Sequence, residues 1–323
     1  MVGTPAWAWG GFLVFIAGMM AVDLVAYRRS SGAMSFRSAA GWSVLWIGLA
    51  LAFNLVLLMW RGPGPALEFL TGYVVEESLS LDNLFVFLVI FRFFALPARQ
   101  YRLVLTWGIL GAVILRGVMI AAGVALISVF SWAIQAFGVL LVWTAWKLFT
   151  EKEEKVEPEV NPLVRLARRF YPVWPRFAGD RFFIRRGRRT LMTPLLVVLL
   201  VVSTTDVVFA TDSIPAIFAI TRDPFIVFTS NMFAVMGLRS IFFMLAGVLH
   251  QFRYLREGLA VVLGLIGVKM LVEHHLVIPI PVALAVVAGV LAGSIGLSLV
   301  ADRRERDAPR PSSISRRGAR RRS

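Results

Sequence analysis

VVEESLSLDN, residues 74–83, is the stretch whose reading decides the fold. Three carboxylates and an asparagine lie here between flanks, Leu67 to Val75 and Leu84 to Phe94, apolar enough to form a membrane span. A charge at mid-bilayer costs about 2.5–3.5 kcal/mol on insertion scales, so several acids in one span demand a compensating use. The pattern returns at 204–216 as TTDVVFATDSIPA. Glu76 precedes Asp82 by six residues, Asp206 precedes Asp212 by six, and one offset of 130 superimposes both pairs and carries Arg92 onto Arg222. The spacing is that of an internal duplication whose two copies face a shared polar site.

Working outward, 58% hydrophobic residues in a chain of 323 and a mean hydropathy of +0.76 exclude an ordinary soluble domain. The expected class is an all-α polytopic membrane protein with about nine transmembrane helices, near 7–26, 39–60, 67–94, 103–127, 131–149, 191–220, 225–250, 257–275 and 281–300. The first of these has no basic leader and no clear cleavage pattern before Asp23, which favours a retained span over a signal peptide. The net charge of +15 invites a nucleic-acid reading, but its distribution argues for membrane orientation instead. The 150–190 segment carries 11 Lys and Arg and the tail beyond Ala301 carries nine, whereas the connections on the opposite side carry only Arg61 and Arg222. That bias sets the amino terminus outside, the carboxyl terminus in the cytoplasm, and an odd number of spans in the cytoplasmic (plasma) membrane. Cysteine is absent, which excludes disulfides and thiolate metal sites.

Residues 1–300 thus read as a transmembrane transporter domain. Within it, 150–190 forms a cytoplasmic loop that opens with the polar EKEEKVEPE and continues with LVRLARRFYPVWPRF, where arginine alternates with bulky apolar residues. Such a segment suits an amphipathic element lying on anionic lipid. The tail 301–323, rich in Arg, Ser and Pro, reads as disordered. Because the third expected helix runs inward and the sixth outward, helices 3–5 and 6–8 form an inverted 3+3 repeat, an arrangement that permits alternating access around a midplane site.

The two acidic motifs carry the chemistry. In an unbroken helix six residues turn through about 600°, so convergence of Glu76 and Asp82 on one ion requires a local break, for which SLS is permissive. In the second copy Pro215 should kink or open the helix beside Asp212 and Ser213. Glu76, Asp82, Asp206 and Asp212 are the candidate metal ligands. Asn83, seven residues from Glu76, and Ser213 are supporting candidates, and Glu77 reads either as a ligand or as a partner for a buried arginine. Asp23 is either an interfacial acid or a fifth acidic group of the site. Arg116, deep in an apolar run, needs a carboxylate, and the acids of the third helix are the economical choice. Arg239 and Asn231 are counterparts of Arg116 and its neighbours at the weaker offset of 123.

An oxygen-only ligand set suits hard divalent cations such as manganese, magnesium or calcium better than zinc or copper. Two blander readings compete with it: structural salt bridges and a pure proton path. Four acids against two arginines leave surplus negative charge that needs a cation or protons. No protease or zinc signature is present, so no enzymatic activity is expected. No permanently bound cofactor is expected either; the metal ion is substrate, protons are a candidate coupling ion, and nucleic acid is not an expected partner.

EESLSLDN followed by LFVF, DVVFATDSIPAIFAIT, and NMFAVMGLRSIFF resemble the TerC and Alx family of integral membrane proteins, within the broader LysE-like exporters. The likeness covers helices 1–8, and the joint occurrence of three long motifs makes it specific. The resemblance implies manganese export or tellurite resistance, while plant relatives are associated with thylakoid membrane protein insertion. It also sets Glu76, Asp82, Asp206 and Asp212 at the family's acidic transport positions. The expected function is therefore export of divalent metal, manganese first, in exchange for protons; the alternative is a membrane scaffold or insertion factor without ion flux.

Overall fold

The structure, a computed structural model, describes residues 4–29, 35–130, 132–150, 161–187, 189–245, 254–272 and 278–307. Its helices are α1 (Ala6–Arg29), α2 (Phe36–Arg61), α3 (Pro63–Phe93), α4 (Ala98–Val129), α5 (Ala133–Thr150), α6 (Pro162–Phe170), α7 (Pro194–Phe218), α8 (Pro224–Leu245), α9 (Leu255–Val272) and α10 (Ile280–Asp307). Strands β1 (Phe183–Arg186) and β2 (Arg189–Met192) pair antiparallel between α6 and α7. Each of the nine expected spans has its helix. The protein is an all-α polytopic membrane protein apart from that small hairpin, which the sequence reading did not anticipate.

Among the described residues six helices, α2, α4, α5, α7, α8 and α10, are long and apolar enough to cross a bilayer. In α3 the acids Glu76, Glu77 and Asp82 interrupt the apolar run, and α9 carries Arg256, Glu257 and Lys269 at its two ends. The described apolar run of α1 is Ala6–Val22. Large apolar side chains such as Val14, Val44, Ile114, Val118, Val139 and Leu297 are exposed on α1, α2, α4, α5 and α10. Surfaces of this kind are stable facing lipid rather than water.

Sequence-local chemistry sets the helix ends. Gly62, at φ +88°, makes the sharp exit from α2, and Pro63 opens α3, where its missing N–H is no loss. The Asp223 carboxylate accepts from the Phe225 and Ile226 amides at the start of α8. α8 is the central helix: 94% of its apolar window is buried, against 22% for α2 and for α10. Phe12 of α1 packs within ring distance of Phe53, Phe225, Phe228 and Phe233, which ties α1 and α2 to α8.

Four helices surround the polar centre in reciprocal pairs. Gly72 faces Ser230 and Glu77 faces Gly237, so α3 and α8 run parallel; Gly108 faces Val202 and Gly123 faces Phe218, so α4 and α7 do too. Gly117 meets Phe228 while Arg239 reaches Thr106, which makes α4 and α8 antiparallel. Gly72 also faces Ile217, and Glu76 interacts with Ser213, so α3 and α7 are antiparallel. At the α5–α9 crossing, a Cβ on Gly138 would come 3.1 Å from the Gly267 carbonyl oxygen, and one on Gly267 would come 2.9 Å from that of Gly138. Backbones this close exclude any side chain.

Two local expectations are corrected. α3 does not break between Glu76 and Asp82 but is helical throughout. The serine of SLS that could have stabilised a break instead folds back, Ser78 Oγ donating to the Val74 carbonyl at 2.5 Å. Nor does α7 open at Pro215, since it continues to Phe218. Proline there lies in the last turn, where one missing backbone bond leaves little helix to disrupt.

Candidate functional site

The unbroken geometry of α3 turns Glu76 toward α4 and α7. Arg116 of α4 meets it there: Nη1 donates to Glu76 Oε1, while Nη2 donates to Asp206 Oδ1 at 3.0 Å and Nε to Asp206 Oδ2 at 3.3 Å. Side-chain exposure is 0% for Arg116 and Glu76 and 4% for Asp206, so this ion triad is shut off from solvent and lipid. The carboxylates brought together are the two that the 130-residue offset relates. Arg116, expected to pair with the acids of the third helix, pairs with Glu76 of α3 and also with Asp206 of α7.

The triad is not electrically balanced, because two carboxylates share one guanidinium. Glu76 Oε2 is buried and takes no bond from Arg116; the Ser213 hydroxyl, also buried, stands against the same carboxylate as a hydrogen-bonding neighbour. Asn231 of α8 is wholly buried, and neither its amide nitrogen nor its oxygen has a partner. Buried polar atoms left in this state are candidates for a bound ion or water.

Asp212 lies six residues further along α7, on another face of the helix. Its Oδ1 accepts from Thr144 Oγ1 of α5 at 2.9 Å. Asp212, Thr144 and Asn83 line a cavity of about 210 Å³ whose wall also includes Lys147 and Arg256. Asn83 therefore stands with Asp212 rather than with Glu76. Of its two expected roles, Glu77 does not show the pairing with an arginine: the Tyr73 hydroxyl donates to its Oε1 at 2.8 Å. Arg239 donates to Thr106 Oγ1 at 3.1 Å.

Among the described residues no three His, Asp or Glu side chains converge as a ready-made metal site. The side chains of Asp23 and Asp82 lie outside the described residues, as do 151–160, His250, Glu273, His274, His275 and the tail beyond Asp307. Two contributors escaped the sequence reading. Thr144 is the hydroxyl inside an otherwise apolar stretch of α5, and Tyr73 precedes Glu77 by one helical turn; both are visible in the chain.

The model of the integral membrane protein TerC family matches residues 61–306. The chain is 48% identical over 313 residues to the uncharacterized membrane protein STKORF319 of Myxococcus xanthus, covering 96% of this chain and 98% of that protein. It is 46% identical over 299 residues to the putative membrane-bound redox modulator Alx of Escherichia coli K12, at 90% and 93% coverage. An uncharacterized membrane protein of Rickettsia bellii is 35% identical over 293 residues, at 91% and 97% coverage. No solved structure matches the chain significantly. With three quarters of its length on the family model and relatives aligned nearly end to end, the chain belongs to the TerC family of integral membrane proteins, multi-pass proteins consistent with residence in the cytoplasmic membrane.

Proposed function

We propose that this protein is a secondary transporter that exports divalent metal ions, manganese foremost, in exchange for protons. The observation that carries the reading is the buried triad: two carboxylates against one arginine, with the buried Ser213 hydroxyl against Glu76. Surplus negative charge sealed in a low dielectric requires a cation or a proton. Carboxylates that hold either one provide the exchange. Only oxygen ligands are on offer, which suits a hard ion; manganese is preferred on the family resemblance.

The helix directions support an inverted repeat; the charge bias of the connections supports an amino terminus outside. A twofold axis in the membrane plane relating α3, α4 and α5 to α7, α8 and α9 maps the parallel pair α3–α8 onto α7–α4. It also maps the mutually touching Gly138 and Gly267 onto each other. Contacts of that kind are what alternating access by rocking of two repeats requires. Asp212 and its cavity then serve as a second station on the path, separate from the triad. The redox-modulator name carried by the Alx relatives finds no thiol here, since the chain has no cysteine.

Moving a divalent ion outward against 100 mV costs about 4.6 kcal/mol, two charges at about 2.3 each, so export needs a coupling ion. The test is manganese flux by the purified full chain in liposomes with an imposed pH gradient. Gradient-dependent flux is expected, and it should disappear in Glu76→Gln and in Asp212→Asn. A wild-type protein that moves no manganese supports the scaffold reading instead; flux untouched by both substitutions removes the site assignment.

A further inference from the structure

Residues 161–192 contain nine arginines, no lysine and one acid, Asp180. The sequence suggests an amphipathic segment lying on anionic lipid, and the structure gives that expectation a two-part body, a helix and a hairpin, bolted to the transmembrane bundle. Val164 of α6 is fully buried among residues of α7, and Asn161, which caps α6, also accepts from Thr204 Oγ1 of α7 at 3.3 Å. The hairpin is held at its base, where Thr193, the residue before α7, donates from Oγ1 to the Arg181 carbonyl at 2.8 Å. Gln100 Nε2 of α4 donates to the Gly179 carbonyl at 2.8 Å. Because β2 leads within two residues into the membrane helix α7, the whole body sits at the edge of the bilayer.

Its outer surface is two-natured. On α6, Leu163, Leu166 and Phe170 fall at i, i+3 and i+7 on one stripe, and Leu166 and Phe170 are 54% and 68% exposed. Arg165, Arg168 and Arg169 occupy the other half of that helix and are exposed. On the hairpin, Phe183 is exposed beside Arg185 and Arg186, and the Arg186 guanidinium lies 4.8 Å from the centre of the Trp174 ring. Of the apolar half of α6, Val164 is covered by protein and Ala167 partly so, which leaves Leu163, Leu166 and Phe170 exposed. An apolar stripe flanked by guanidinium groups is stable where acyl chains and phosphates meet, and unstable in water.

We infer that α6 and the β1–β2 hairpin together form a docking surface for anionic phospholipid headgroups. The arginines hold the phosphates, Leu163, Leu166 and Phe170 enter the acyl boundary, and the attachment sets the start of α7 at the bilayer surface. This depends on the protein being membrane-embedded and is independent of metal transport.

The experiment is hydrogen exchange on the full chain in nanodiscs of phosphatidylcholine alone, or with about one third phosphatidylglycerol. One arginine near an anionic surface contributes about fivefold in binding. Exchange across 161–192 should therefore be slower by tenfold or more in the anionic discs. The difference should vanish at high salt and in Arg168→Gln/Arg169→Gln/Arg185→Gln/Arg186→Gln. If the quadruple variant also loses protection in α4 and α8, Arg168→Gln/Arg169→Gln serves, with a correspondingly smaller loss confined to 161–192. Equal exchange in the two discs overturns the inference, as does protection by a short RNA in neutral discs that exceeds the protection by anionic lipid.

Discussion

Replacing members of the triad one at a time should order their stabilities by charge, not by the number of hydrogen bonds lost. Arg116→Gln leaves Glu76 and Asp206 facing each other in a site with at most 4% exposure and no cation. Breaking a buried pair by removing one partner costs about 3–5 kcal/mol, and here two anions are stranded. Asp206→Asn removes one of two hydrogen bonds from a charged donor and weakens the other, at about 1.5–3 kcal/mol each in isolation. It also relieves the surplus charge, since Arg116 then faces Glu76 alone, and the amide oxygen still accepts one bond. The net loss for Asp206→Asn should therefore be about 1–2 kcal/mol, well below that for Arg116→Gln. The double variant should regain part of what Arg116→Gln loses, a coupling within the 0.5–3 kcal/mol range for residues in one network. The assay is thermal unfolding in detergent, followed by size-exclusion chromatography, with the ligand-free protein throughout. An Arg116→Gln protein as stable as Asp206→Asn, or a double variant showing simple additivity, would refute the charge argument and reduce the triad to ordinary hydrogen bonding.

Other substitutions separate packing from chemistry. Gly267→Val should lower thermal stability by about 1–3 kcal/mol or more, because its Cβ would meet the Gly138 carbonyl and the Val142 amide nitrogen at 2.9 Å, backbone atoms that cannot rotate away; an unchanged melting temperature would contradict the close crossing. Thr144→Val removes the single hydroxyl bound to Asp212 Oδ1, a loss of about 0.5–1.5 kcal/mol. Its apparent KM for manganese in the liposome assay should rise by up to about tenfold with the protein still folded, whereas no change would detach that hydroxyl from the path. Arg61→Ala breaks the 2.6 Å ion pair with Asp223, but both side chains are about one fifth exposed. Its cost should stay near or below 1 kcal/mol, and a collapse in expression or melting temperature would assign that pair a structural role the geometry does not suggest.

Much of the site was legible as spacing. The 130-residue offset paired Glu76 with Asp206, and these carboxylates meet at one guanidinium. The need of Arg116 for an acid follows from its place in an apolar run. The partition of the acids was not legible. Glu76 with Asp206, and Asp212 with Asn83 and Thr144, form separate groups because both helices stay continuous: Asp206 and Asp212, six apart on α7, leave on different faces, and Glu76 and Asn83, seven apart on α3, stand about two turns apart along the axis. The requirement that one ion be reached from both positions had argued for a break. The backbone kept its hydrogen bonds instead, with Ser78 satisfying its own hydroxyl inside the helix. The hairpin escaped for a different reason: Phe183–Arg186 and Arg189–Met192 show no apolar alternation, and their pairing depends on Thr193 and Met192 anchoring them to the bundle.

By itself the chain determined that it enters a membrane, where its helices run, and which acids are related, because apolar length and periodicity act locally and survive in any fold. Only the tertiary structure decided which acid faces which cation, that α8 is the buried centre, and that Gly138 and Gly267 touch. Those outcomes depend on helix rotation and direction, and helix rotation and direction are set by packing between segments far apart in the chain.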